Sequence, residues 1–328
     1  MRKISILVLF ALLIGACAPL SLTPQTTIEE GTPVVVDYGG TNGEIARQHL
    51  EALTEIGARM PGSAEEAEAG QYIADTFEKL GYRPEVQPFT AVGEDDQAID
   101  SANIIAVKGG NSSQVIVVGA HYDSSDESLG TDDNGSGVAV MLEVAELVKD
   151  KTTPYTIYFI AFGAEEAGLL GSNAFVSSLS DSEVSNIILF VNLDSISAGD
   201  IAYVYSLETM DTSARDWAIG WAQSNGYDLQ PIQNVDLTDP DGGGGSADYA
   251  AFQEAGIPFA YFEATNWTLG DHDGYTQVDP NYGNEGAIIH TQYDNLAYLD
   301  ETFPGRVNER LDLFVTVLYN ILTQYERP

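Results

Sequence analysis

The sequence predicts an α/β fold, a three-layer αβα arrangement in which a mostly parallel sheet is covered by helices on both faces. Three observations carry this expectation. Short, nearly continuous apolar runs such as Val115–Gly119, Thr156–Phe162 and Ile187–Leu193 have the length and composition of strands buried on both sides. Between them lie stretches with helical periodicity, so strand and helix alternate along the chain. With 328 residues, 44% of them hydrophobic, the chain can bury a large core.

The elements follow in order. Ala46, Leu50, Leu53 and Ile56 mark a first helix closed by Gly57. Ser63 and Glu66 form a capping-box pattern ahead of a second helix, with Ala69, Ile73, Phe77 and Leu80 on one face and Gly81 as its stop. Strands are expected at Ile104–Val107 and Val115–Gly119, then a helix at Val138–Val148 and a buried strand at Thr156–Phe162. A strand at Ile187–Leu193, a helix at Ser213–Gln223 and a late strand at Pro258–Phe262 come next. Val307, Leu311, Phe314, Leu318 and Ile321 mark a closing amphipathic helix. The 205–250 stretch, with Gly242–Gly245, reads chiefly as loop and insertion. No internal repeat is visible.

The front end reads as a targeting segment. Arg2 and Lys3 precede thirteen uncharged apolar or small residues, Ile4 to Ala16, too few to span a bilayer but suited to a secretory signal. Ile14-Gly15-Ala16-Cys17 resembles a bacterial lipobox, and Cys17 is the only cysteine. The expected organisation is therefore a lipoprotein signal peptide over 1–16, a tether over 17–42 rich in Thr, Pro and Gly, and one catalytic domain over 43–328. Such a chain would be extracytoplasmic, held to a bacterial membrane through lipidated Cys17.

Charge excludes some functions. Fifty Asp and Glu against thirteen Lys and Arg give a formal charge of −37. So much acid repels phosphate, which argues against nucleic acid as a partner. A single cysteine rules out an internal disulfide and a multi-thiolate metal site, so a metal would be held by His, Asp and Glu.

Potential ligands collect at the carboxyl ends of the expected strands, where open α/β sheets place their sites. Val115–Gly119 runs into Ala120-His121-Tyr122-Asp123-Ser124. A Gly-rich turn, Gly130-Thr131-Asp132-Asp133-Asn134-Gly135, then leads into a helix. Thr156–Phe162 ends in Gly163-Ala164-Glu165-Glu166, Ile187–Leu193 ends in Asp194, and His290 lies in Ile289-His290-Thr291. Each has an ordinary reading alone: a turn, a solvated helix start, a helix cap, a structural histidine. Together, two histidines and several carboxylates suit zinc, and a carboxylate-rich set can hold two ions with one carboxylate bridging.

These motifs closely resemble the co-catalytic zinc aminopeptidases of metallopeptidase family twenty-eight, over about residues 42–328 and in family order. Ile56-Gly57-Ala58-Arg59-Met60-Pro61-Gly62-Ser63 is similar to the family's leading motif. His121-Tyr122-Asp123-Ser124, Asp132-Asp133-Asn134-Gly135 and Ala164-Glu165-Glu166 are similar to its ligand motifs. Asn266-Trp267-Thr268-Leu269-Gly270-Asp271 through Asp273-Gly274-Tyr275 looks most like the alkaline phosphatase isozyme conversion branch.

The resemblance implies a mixed sheet of the zinc-dependent exopeptidase type and two Zn2+ per chain. It implies that His121 and Asp194 hold one ion and Glu166 and His290 the other, with Asp133 bridging. A hydroxide between the ions would attack the peptide carbonyl, Glu165 would be the general base, and Asp123 would orient His121. It also implies a cis Asp133–Asn134 peptide. Asp248 matches the Asp of the family's Ser-Asp-His motif, whose His is Tyr249 here. Ile289 stands where some members place an oxyanion-stabilising tyrosine, a task left to zinc or to another group such as Tyr275.

The substrates implied are peptide or protein N-termini. The isozyme-conversion branch removes basic N-terminal residues, and on that analogy Trp267 and Tyr275 would cover an Arg or Lys stem while Asp271 or Asp273 meets its charge. Other members prefer Leu or Met. A carboxypeptidase would need a cationic pocket, for which Arg and Lys are scarce after residue 100. A glutaminyl cyclase would carry a single zinc. A decayed, lipid-anchored binding protein would not be expected to keep all five ligands and Glu165. A serine hydrolase lacks its Gly-x-Ser-x-Gly elbow. Calcium at Asp239-Pro240-Asp241 or Asp271-His272-Asp273 is outweighed by the commoner reading of such segments as turns.

Overall fold

The computed structural model describes residues 42–93, 97–126, 128–232, 247–270 and 274–328. Cys17, the expected signal peptide and nearly all of the tether lie outside the described residues, as do Asp239–Asp241, Asp271 and Asp273.

Eight strands form one sheet: β1 (Glu85–Val92), β2 (Ala98–Lys108), β3 (Ser112–His121), β4 (Tyr155–Phe162), β5 (Ile187–Leu193), β6 (Ile201–Tyr205), β7 (Gln230–Pro231) and β8 (Phe259–Thr265). Their order is β1-β2-β4-β3-β5-β8-β6-β7. The centre, β4-β3-β5-β8, is parallel, whereas β1, β2 and β6 run antiparallel to their inner neighbours. The sheet is thus mixed, with the expected parallel core. β1 escapes sequence reading because it is an edge strand interrupted by Pro88, with side chains alternating between half-buried and exposed.

Successive side chains on a strand point to opposite faces, and the core divides accordingly. Ile104, Ile116, Val118, Phe159 and Val191 face one side. There they meet α1 (Glu44–Ile56), α2 (Ala64–Lys79), α3 (Gly137–Val148), α6 (Ser213–Ser224) and α9 (Arg306–Gln324) through Leu50, Ile73, Leu142, Ala218 and Phe314. Ile105, Val117, Ile160, Phe162 and Phe190 face the other side, against Phe175 of α4 (Leu170–Ser178) and Phe252 of α7 (Tyr249–Glu254). Phe252 stacks on Phe190 with centroids 3.8 Å apart. Gly119 is required between these rings, because a Cβ there would lie 2.4 Å from Phe162 and 2.8 Å from Phe190. Two short helices, α5 (Asp181–Asn186) and α8 (Leu296–Thr302), complete the described elements. Within 205–250 the helix expected at Ser213–Gln223 forms as α6, and β7 and the start of α7 stand where loop was expected.

The capping box expected at Ser63 forms only by half. Ser63 Oγ accepts the Glu66 amide at 3.0 Å, but the Glu66 carboxylate takes the amide of Gly62, one residue before the cap, in place of that of Ser63. α1, whose Gly43 N-cap offers no side chain, is capped from a distance: Glu143 of α3 accepts the amides of Gly43 and Ala46 at 2.9 and 2.6 Å.

The parallel centre positions the site. His121 ends β3 beside Phe162 of β4, Leu193 of β5 lies beside Phe262 of β8, and β3 and β5 are themselves in register. The segments carrying His121, Glu165–Glu166 and Asp194 therefore leave the sheet at one edge.

Candidate active site

Asp133 stands at the middle of this edge. It lies in the buried turn Thr131–Ser136 ahead of α3, and its peptide bond to Asn134 is cis, as the resemblance implies. Asn134 fastens the turn to β5 through Nδ2, which donates to the Leu193 carbonyl at 2.8 Å. Gly137 lets α3 approach, since a Cβ there would meet Asn134 Oδ1 at 2.5 Å and the Leu193 carbonyl at 2.6 Å.

The Asp133 carboxylate is shared. Oδ1 lies 3.0 Å from His121 Nε2 and Oδ2 lies 2.9 Å from His290 Nε2. Each imidazole has a further carboxylate: Asp194 Oδ1 is 3.5 Å from His121 Nε2, and Glu166 Oε2 is 3.1 Å from His290 Nε2. Two clusters result, His121–Glu165–Asp194 and Asp133–Glu166–His290, each with candidate ligand atoms within 4.8 Å of one another.

Burial sets the electrostatics. It pushes Glu165 well above its ordinary range, helped by Asp248, Asp194 and Glu166, and it raises Glu166 and Asp194, each with Asp133 adding. Asp133 moves the other way: against the penalty of burial, hydrogen bonds with His121 and His290 hold it below the usual carboxylate range. His290 is pushed up to about 11 by its hydrogen bonds to Asp133 and Glu166. So many carboxylates in a dry site call for cations. His121 Nδ1 and Glu166 Oε1 are buried without a hydrogen-bond partner, and the donors are imidazole and carboxylate. The residues present fit zinc.

A further ring of buried groups holds these loops. Asp123 lies 3.6 Å from His121 Nδ1, beyond hydrogen-bonding distance. Its two oxygens instead accept the amides of Glu165 and Glu166, each at 3.0 Å. Asp132 accepts the Ser197 and Ala198 amides at 2.6 and 3.0 Å, and Asp294 accepts those of Asp132 and Asp133 at 2.6 and 3.2 Å. Arg59 is fully buried, and its guanidinium donates to the carbonyls of Tyr122, Leu129 and Gly130 at 2.7, 2.7 and 2.8 Å.

Beside the clusters a pocket is walled by Tyr261, Glu263, Thr265, Trp267, Tyr275 and Gln277. Trp267 and Tyr275, expected beside a substrate side chain, are both part of this lining; Asp271 and Asp273 are outside the described residues. Sequence reasoning missed Glu263. It accepts hydrogen bonds from Trp267 Nε1 and, at 3.3 Å, from the Tyr261 hydroxyl, and burial pushes its carboxyl up to about 8. The available signal was a lone acid inside an apolar strand. Asp248, left outside the expected catalytic set, is fully buried with neither oxygen hydrogen-bonded.

Fold and site define a class: a metallohydrolase with its site at the carboxyl edge of a three-layer α/β sheet. The model of peptidase family M28 matches residues 103–315. The chain is 30% identical over 328 residues to the alkaline phosphatase isozyme conversion protein of Escherichia coli K12, covering 92% of each. It is 32% identical over 235 residues to the aminopeptidase YwaD of Bacillus subtilis, covering 70% of this chain and 46% of that protein. Among solved structures, a zinc aminopeptidase from Bacillus subtilis shares the fold with a TM-score of 0.70 at 21% identity, covering 88% of this chain and 97% of that one. The glutaminyl cyclase of Tannerella forsythia shares it with a TM-score of 0.67 at 19% identity, covering 87% and 99%. The chain belongs to peptidase family M28 and is a hydrolase of the zinc aminopeptidase type.

Proposed function

We propose that the chain is a di-zinc aminopeptidase that removes the N-terminal residue from peptides or proteins. The observation that carries this reading is the Asp133 carboxylate, with one oxygen toward His121 and the other toward His290. His121 and Asp194 would hold one ion, Glu166 and His290 the other, and Asp133 both. When bound, such a pair supplies a Lewis acid for the scissile carbonyl and lowers the pKa of water toward neutrality. Glu165, dry and raised in pKa, takes the proton from the attacking water and delivers it to the leaving amine. The carboxylates around the site receive the substrate's α-ammonium group. The Tyr275 hydroxyl, on the pocket wall beside His290, steadies the oxyanion.

For the substrate side chain we favour Arg or Lys. Trp267 and Tyr261 supply aromatic walls for the aliphatic stem, and Glu263 supplies a buried carboxyl that ionises when a cationic side chain enters the pocket. The test is hydrolysis of arginyl, leucyl and N-blocked chromogenic substrates by wild type and Glu263→Gln, with zinc counted in parallel. Cleavage of unblocked substrates only, with an arginine preference that falls about 10-fold or more in the variant, is expected. A leucine preference unchanged by Glu263→Gln contradicts the basic pocket. Cyclisation of glutaminyl peptides at one zinc per chain would make the enzyme a cyclase.

The same reading places the enzyme outside the cytoplasm, anchored through Cys17. Metabolic labelling with palmitate should mark wild type and not Cys17→Ala; equal absence of label contradicts the anchor. Among the described residues, no helix is long and apolar enough to cross a membrane.

A further inference from the structure

Glu66 and Glu165 come from different parts of the chain, and the loop between β4 and α4 brings them together. Four consecutive amides of that loop are held by side chains from elsewhere. Gly163 N donates to Asn103 Oδ1 at 3.3 Å, Ala164 N to Glu66 Oε1 at 2.9 Å, and Glu165 N and Glu166 N to the two oxygens of Asp123 at 3.0 Å each. The loop also closes on itself through Gly168 N and Leu169 N to the Glu165 carbonyl and Leu170 N to that of Ala164, but all three bonds lie past the four clamped amides. Ala164 has a φ of 53°, in the left-handed region that non-glycine residues seldom occupy. A Cβ on Gly163 would lie 2.2 Å from Ser101 Oγ and 3.0 Å from Glu66 Oε1, so the contact is close on every side.

We propose that Glu66 is a positioning residue that sets the reach of Glu165 by clamping the Ala164 amide. Its carboxylate joins three segments. Oε2 accepts the Gly62 amide at 2.6 Å, and Oε1 accepts the Ser101 hydroxyl at 2.6 Å as well as Ala164 N. The side chain is 2% exposed, and burial together with the Asp123 charge pushes its carboxyl up to about 7. An ordinary capping box would return this side chain to the Ser63 amide at modest cost in burial. Here Oε2 stays at the helix start on the Gly62 amide, while Oε1 reaches the loop 98 residues away that carries Glu165 and Glu166. A proton-transfer group displaced by about 1 Å can lose about 100-fold in rate, so an anchor one residue from Glu165 acts on kcat more than on binding.

This inference rests on the general-base reading of Glu165, and the experiment separates the two. Zinc-loaded wild type, Glu66→Ala, Glu66→Asp, Glu66→Gln and Glu165→Gln are compared for kcat, KM, zinc content and Tm. Tyr82→Phe serves as control, since it removes a hydrogen bond to the Ala145 carbonyl far along the chain from this loop. Glu66→Ala is expected to lower kcat about 10- to 100-fold with two zincs retained and KM within about 2-fold of wild type. Glu66→Asp, one methylene short, should fall about 10-fold, and Glu66→Gln, which keeps an acceptor for Ala164, should recover most of the rate. Tyr82→Phe should lower Tm and leave kcat unchanged. If Glu66→Ala does not accumulate, Glu66→Asp against Glu66→Gln makes the same comparison. A Glu66 series that loses Tm or zinc while kcat per zinc-loaded enzyme stays at wild type overturns the clamp alone. A Glu165→Gln enzyme that stays active overturns the general-base reading and the clamp with it.

Discussion

The two halves of the proposed zinc site are built by different means. The His121 side chain is 1% exposed and stands at the end of β3, with Asp194 just past β5, so a sheet fixes that half. The His290 side chain is 40% exposed, with a backbone φ of 55°, in a segment between β8 and α8 that holds no strand and no helix among its described residues. What fixes it is polar. Gln277 Oε1 accepts the amides of Ile288 and Ile289 at 3.1 and 2.9 Å, while its Nε2 donates to Asp132 Oδ2 at 2.7 Å. Asp294, four residues past His290, reaches back to the amides of Asp132 and Asp133. Thus Asp133 joins the two candidate metal positions, and its neighbour Asp132 joins the two halves of the protein that supply them. A ligand carried by a strand end depends on the core, whereas one carried by a loop depends on a few buried hydrogen bonds.

The largest effect should come from the group assigned the proton transfer. Glu165→Gln is expected to retain two zincs and lose about 10²–10⁴-fold in kcat, measured at saturating substrate. Loss of zinc in step with activity would make Glu165 a ligand of the His121 half instead. Next, Gln277→Ala should loosen only the loop-built half. Leaving the Ile288 and Ile289 amides and Asp132 Oδ2 without their Gln277 partner costs about 1–3 kcal/mol, and zinc should fall from two per chain toward one. Equal loss from both positions would mean that the halves do not differ as described.

The smallest effect concerns pH in the zinc-free protein. Burial pushes Glu263 and Asp294 up to about 8, and Asp248 up to about 7. Folding therefore favours their neutral forms, so the stability they contribute is present below the ordinary carboxylate range and lost as pH rises toward about 8. His290, raised to about 11, has the same sign, its contribution being lost only above neutrality. The Tm of the zinc-free protein should fall between about pH 5 and pH 8. A Tm that rises across that window contradicts the assignment of dry, neutral acids around the site.

The same contrast explains what was legible beforehand. His121, Glu165, Glu166 and Asp194 follow apolar runs that read as strands, and strand ends at one sheet edge bring them together. Asp133 was legible from its Gly-rich turn ahead of a helix. His290 stood among the candidate ligands with no element to place it, and its role, like the roles of the others, came from the resemblance. Glu66 was read as a helix cap because its pattern with Ser63 is local, while its partner Ala164 is 98 residues away. Asp294 was visible as a residue but not as an anchor, since the Asp132 amide it holds lies 162 residues away. Arg59 belonged to the leading motif, yet nothing local announces that its guanidinium meets five backbone carbonyls rather than an acid. Anchors that act across the sheet leave no periodic signal.

If one carboxylate serves two metal positions, the zinc count per chain must follow it. Wild type, Asp133→Ala, Asp194→Ala and Glu166→Ala would be saturated with zinc, freed of loose metal and counted per chain. Wild type should hold two zincs and the variants at Asp194 and Glu166 about one each, while Asp133→Ala should retain both poorly. A fully active wild type holding one zinc, or an Asp133→Ala protein that keeps two as tightly as wild type, would contradict a shared carboxylate.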